Sequence, residues 1–118
     1  MKNIKHKKVS VHFFRTASGG EPVREWLLSL TKEDRSAIGQ DIKTAEYGWP
    51  VGMPICRSIG DGLWEVRTSL EGGRIARVLF FFKSNELILL NGFMKKAQKT
   101  PKSELDLAKK RKREAEND

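Results

Sequence analysis

The chain has 118 residues, of which 38% are hydrophobic and 32% charged; that is the size of one domain, with enough apolar content for a modest core, and it excludes a disordered polyelectrolyte. Twenty-three Lys and Arg against fifteen Asp and Glu leave a formal charge of +8, a field that favours a polyanionic partner, with an acidic protein as the other class. The single Cys56 excludes an intramolecular disulfide and a Cys-cluster metal site, and with no signal-peptide core and no apolar run near the roughly 20 residues of a membrane span, a cytoplasmic chain away from membranes is expected.

Val9, Val11 and Phe13 alternate with Ser10, His12 and Phe14, the period of a strand that ends near Arg15. After Ser18-Gly19-Gly20, Pro22 suits a first helical turn, and Val23, Trp26, Leu27 and Leu30 follow the i, i+3, i+4, i+7 stripe of a short amphipathic helix. Thr31 with Asp34 three positions on resembles a capping box and opens a second helix marked by Ile38, Ile42 and Ala45, which Gly48 and Pro50 end. Val51 to Gly62 carries Gly52, Pro54, Gly60 and Gly62 and reads as a loop. Leu63 to Leu70, Arg74 to Lys83 and Glu86 to Phe93 are strand-like runs separated by Glu71-Gly72-Gly73 and Ser84-Asn85, short enough for antiparallel hairpins. Pro101 then starts a helix with Leu105 and Ala108 on one side and Lys and Arg on the other. The expected architecture is α+β: a small, antiparallel-rich sheet built from a strand, two helices, a three-strand meander and a C-terminal helix, with the helices packed on one face and the other face left for function.

Alternation in the strand from Leu63 separates Trp64 and Val66 from Leu63, Glu65 and Arg67. If Leu70 faces Arg74 across the Gly72 hairpin, Arg67 lies opposite Arg77 and Glu65 opposite Leu79. A register shifted by one would bury Arg77 beside Trp64, so the core pattern selects the first. Opposed like charges cost up to about 1 kcal/mol unless an anion joins them. Two readings follow: a surface ion network of Glu65 with one or both arginines, or a phosphate clamp of Arg67 and Arg77, whose paired donors match phosphate oxygens. In the second reading, replacing Arg77 by Ala leaves the fold intact. Basic residues concentrate elsewhere too. Residues 1 to 19 hold Lys2, Lys5, Lys7, Lys8 and Arg15 with no acid, and Lys95, Lys96 and Lys99 follow the last strand. His6 and His12 lack ligand spacing with Cys56, and no phosphate-loop motif occurs.

The stretches "LWEVR" (63–67), "RIARVLFFF" (74–82) and "GFMKKAQKTP" (92–101) together resemble the RelE-like toxins of bacterial type II toxin–antitoxin pairs, nearest to the HigB and phage Gp49-like branch, over roughly residues 8 to 113. The resemblance implies one RelE-like toxin domain over residues 1–118 that enters the ribosomal decoding site and cuts the mRNA codon there, using the RNA's own 2′-hydroxyl and no metal or other cofactor. By position, Arg77 matches the strand arginine that binds the scissile phosphate, and Arg67 a basic position that meets substrate or transition-state charge. Lys95 and Lys96 match the basic residues after the last strand; Lys96, Lys99, Lys5, Lys7 and Lys8 would bind RNA or ribosome. The implied partners are a helix-turn-helix antitoxin, the 70S ribosome and mRNA, with operator DNA reached only through the antitoxin complex.

Members of that family often carry His or Tyr near the last strand or final helix as acid or base. Here the region holds Phe93, Met94 and Lys95. Glu65 is then the candidate general base, with a lysine as acid or charge stabiliser. Two other classes fit the scaffold: a non-nucleolytic relative that binds DNA gyrase, and a plain nucleic-acid-binding module whose affinity comes from its lysine-rich ends.

Overall fold

Period-two alternation and two tight turns set the sheet. The computed structural model describes residues 9–95 and 99–117, so the expectations for Lys5, Lys7, Lys8 and Lys96 lie outside the described residues. Element order is β1 (Ser10–Phe13), α1 (Pro22–Leu28), α2 (Lys32–Gly48), β2 (Cys56–Gly60), β3 (Leu63–Ser69), β4 (Ile75–Lys83), β5 (Glu86–Lys95) and α3 (Lys102–Glu116). One sheet runs in the order β1-β5-β4-β3-β2. Only the β1–β5 pair is parallel, which the two helices between the first strand and the meander permit.

The meander has the register that the core pattern requires: Arg67 faces Arg77, Glu65 faces Leu79, and Leu70 N–H donates to the Arg74 carbonyl at 2.8 Å. Gly72 and Gly73, at φ 79° and 73°, carry the first reversal, a backbone region that L side chains avoid. Ser84 and Asn85, at φ 51° and 62°, form the two-residue turn between β4 and β5, whose twist matches the strands. Thr31 caps α2 by accepting from Asp34 N–H at 3.2 Å.

Two expectations are corrected. Residues 51–62 are not all loop, because Cys56–Gly60 pairs antiparallel with β3 as an edge strand. Nor do the helices share one face. Val23 and Leu27 of α1 and Ile38 and Ala45 of α2 pack with Val66, Val78, Phe80 and Leu89, whereas Ala108 of α3 joins Leu63, Leu79, Phe81 and Leu90, the opposite side of the same strands. The first face is closed by close approach at Gly92, where a Cβ would lie 2.4 Å from the Trp26 ring. Trp49 packs edge-on against Trp64 and Phe80.

On the second face α3 is held by polar contacts around a thin apolar seam. Asn91 Nδ2 donates to Glu104 Oε1 at 2.8 Å, Arg111 Nη1 donates to the Leu90 carbonyl at 2.8 Å, and Lys83 Nζ reaches the Ala115 and Glu116 carbonyls at 3.4 Å. Of α3 itself only Ala108 is buried. The helix covers the Leu63–Phe81 end of that face, leaving the Arg67–Ile75 end beside its N-terminus. Among the described residues no helix is long and apolar enough to cross a membrane.

Candidate functional site

The face that α3 leaves partly open is where the strands bring their charges together. Alternation directs Glu65 and Arg67 of β3 to that side, and pairing sets the neighbours. Arg57 of β2 faces Glu65, Arg77 of β4 faces Arg67 and Phe93, and Lys95 of β5 faces Ile75 one step further along. Thr100, just before α3, closes the group. Four cations therefore surround one carboxylate, an excess of three positive charges at one end of the sheet.

The ion network runs through Glu65. Arg77 Nη1 donates to Glu65 Oε2 at 2.8 Å and to the Thr100 hydroxyl oxygen at 3.1 Å. Thr100 in turn donates to Glu65 Oε2 at 3.4 Å. Arg57 Nη2 lies 3.0 Å from Glu65 Oε1. Exposure sorts these groups into two layers: Glu65 is 0% and Arg77 1% exposed, whereas the Arg57 side chain is 40% exposed and Arg67 and Lys95 are half-buried. Burial, which penalises the charged form, lowers the Arg77 pKa, and the neighbouring Arg67 and Arg57 act in the same direction against the attraction of Glu65. Burial and then the charges of Arg77 and Arg67 likewise lower the Lys95 ammonium. The Nε atoms of Arg57, Arg67 and Arg77 are buried with no hydrogen-bond partner among the described residues.

The arrangement departs from both sequence readings in its depth. Glu65 does pair with arginines, as in the surface-network reading, but the Arg77 pair is buried. The expectation that Arg77→Ala would leave the fold untouched is therefore reversed, since removing the guanidinium takes the buried partner from a buried carboxylate and leaves it only the half-exposed Arg57. The expected role of Glu65 as general base also loses its geometry: with no exposed surface, its carboxylate is out of reach of an outside hydroxyl in this conformation. Arg57 and Thr100 were not among the sequence candidates. The alternation of apolar Cys56 with polar Arg57 is a weak sequence sign of β2, and Thr100 had none beyond its place before Pro101.

Arg67 also lines a crevice of about 280 Å³ with Asp41, Pro54, Ile55, Ser69 and Ile75. A larger groove, about 770 Å³, lies between the loop after β1 and α3. It is lined by residues such as Phe14, Thr16, Leu107 and Arg111 and includes none of the cluster just described, so the cationic cluster carries the chemistry better. Lys99 is exposed one residue before Thr100. Among the described residues no group of three or more His, Cys, Asp or Glu is placed to hold a metal ion.

A comparison with protein families matches residues 25–113 to the family described as phage derived protein Gp49-like (DUF891). The match runs from within α1 to within α3 and contains every member of the cluster. A comparison with curated proteins gives no match.

Proposed function

The chain belongs to the Gp49-like family of phage-derived proteins, a toxin-like family related to the RelE-type toxins, and from that premise we propose that it is the toxin of a type II pair, held in check by a helix-turn-helix antitoxin, that cuts mRNA in the decoding site of the ribosome. A toxin-like family implies an antitoxin partner in general. The finer reading is carried by one observation: Arg57, Arg67, Arg77 and Lys95 converge on one end of the sheet with a single carboxylate among them.

In this reading the reaction is transfer within the RNA. The 2′-hydroxyl gives its proton to solvent water as its oxygen forms a bond to the adjacent phosphorus and the bond to the 5′-oxygen of the next nucleotide breaks, leaving a cyclic phosphate and a 5′-hydroxyl. Negative charge builds on the non-bridging oxygens, and donors fixed in place on strands stabilise it more than they stabilise the ground state. Arg67 and Arg57, the more exposed guanidiniums, contact the phosphate. Arg77, in the buried layer beneath them, meets the phosphate through Nη1 alone, and Glu65 positions both of its arginines rather than moving a proton. Lys95, made more acidic by its surroundings, delivers the proton to the departing 5′-oxygen. No step is routed through a metal, and residues 1–118 act as one unit.

Primer extension on mRNA in a purified translation system, with and without ribosomes, tests the proposal. Cuts within codons that need the ribosome are the expected result. Arg67→Ala should lower single-turnover cleavage by about a hundredfold to a thousandfold, the usual loss for one transition-state donor. Intact mRNA together with inhibited DNA gyrase would replace this reading with that of a non-nucleolytic gyrase binder.

A further inference from the structure

Arg77 poses a problem for an RNA phosphate, because the guanidinium most central to the cluster is 1% exposed. Its Nη1 is shared between Glu65 and the Thr100 hydroxyl, and its Nε has no acceptor among the described residues. Thr100 is the only member of this set that comes from outside the sheet. It is half-buried, lies along the chain between Lys95 of β5 and α3, and is the neighbour of exposed Lys99. Its oxygen at 3.1 Å from Arg77 is a neutral acceptor where the surrounding excess of three positive charges favours an anionic one. A hydroxyl holding a buried cation in the company of uncompensated cations is a replaceable partner.

We propose that Thr100 is the positioning residue of this site: its hydroxyl oxygen holds Arg77 in the free protein at the place that a phosphate oxygen of the RNA takes in the complex. The inference rests on the RNA-cleavage reading for the identity of the anion, though not for the hold on Arg77. Glu65 keeps its bond to Arg77 throughout, so the guanidinium is already oriented when the exchange occurs. Because the exchange replaces a neutral acceptor by a charged one, the cluster selects for phosphate over a neutral ligand of the same shape.

The test uses the full chain and phenylglyoxal, a reagent that modifies accessible guanidiniums, with peptide mass spectrometry to follow Arg77 against exposed Arg24. Wild type, Thr100→Ala and Thr100→Ser are compared, each with and without inorganic phosphate. In Thr100→Ala, Arg77 should react about tenfold faster than in wild type, the worth of one hydrogen bond to a charged group. Phosphate should suppress that reaction, and Thr100→Ser should behave as wild type. An unchanged Arg77 rate in Thr100→Ala, a Thr100→Ser that matches Thr100→Ala, or no protection by phosphate each overturns the proposal. So does a Thr100→Ala chain without a cooperative melting transition, since the hydroxyl would then be holding the fold. A 2′-O-methyl mRNA held in the decoding site of the ribosome, which cannot be cut, separates the two readings. If phosphate protects Arg77 and the ribosome-bound mRNA does not, the RNA reading fails while the role of Thr100 stands.

Discussion

Arg77→Ala should destabilise the protein strongly, although the residue sits in a set of like charges. Two effects oppose each other. Removing Arg77 relieves its repulsion with Arg67 across the strand pair, worth up to about 1 kcal/mol. It also leaves Glu65, at 0% exposure, without its 2.8 Å partner. Breaking a buried pair from one side costs about 3 to 5 kcal/mol. Arg57 stays at 3.0 Å on the other carboxylate oxygen and Thr100 stays near, which places the loss at the lower end, about 3 kcal/mol before relief and about 2 kcal/mol after it. For a chain of this size that lowers the melting temperature by roughly 8 °C, at about 4 °C per kcal/mol. Replacing both partners, Glu65→Leu with Arg77→Met, should recover most of the loss, because no buried charge is then stranded. Urea titration and thermal melting of the single and double variants check this. A single variant that melts with wild type, or a double variant no better than the single, would refute the buried-pair reasoning and return Arg77 to the exposed clamp that the sequence alone suggests.

Other perturbations have equally definite outcomes. Arg74 donates to both oxygens of Asp34 at 2.6 and 2.9 Å and holds that carboxyl below its ordinary value. Its folded pKa is thus depressed, so its contribution to stability is present above the ordinary carboxylate pKa and disappears as pH falls through the folded one; Asp34→Asn should flatten the acid side of a urea-midpoint against pH curve, and an unchanged slope would refute the pairing. Gly92→Ala drives a Cβ to 2.4 Å from the Trp26 ring and should cost about 1 to 3 kcal/mol as an overpacked core does; a melting temperature equal to wild type would show that α1 is not packed that tightly against β5.

What the sequence disclosed and what it hid divide along local and non-local lines. The meander register was legible because a two-residue period, a core tryptophan and two turns of suitable residues all agree, so that a shift by one residue would bury Arg77 beside Trp64. The α2 start was legible for the same reason, with Thr31 three residues from Asp34. β2 was hidden because Gly52, Pro54, Gly60 and Gly62 outweigh five residues of alternation, and an edge strand needs little intrinsic preference once β3 offers a partner. The side taken by α3 was hidden because Ala108 is its only buried residue, and its docking depends on Asn91, Lys83 and Arg111, which no periodicity reveals. Arg57 and Thr100 entered the site only through contacts 8 and 35 residues away from Glu65 along the chain.

The depth of Arg77 follows from where a rigid cation can be built. β4 has a paired strand on each side, so a guanidinium rooted there is held by the stiffest part of the sheet, as a donor aimed at developing charge must be. The same location takes the side chain out of water, and burial alone would favour losing its charge or its order. Glu65, facing the same side from the next strand, offsets that at one carboxylate's worth and no more. A second buried acid would neutralise the set and remove its attraction for an anion; none at all would leave Arg57, Arg67, Arg77 and Lys95 repelling one another with nothing to orient them. One buried carboxylate among four cations is therefore the composition that keeps Arg77 charged and fixed while leaving the cluster in need of a negative ligand.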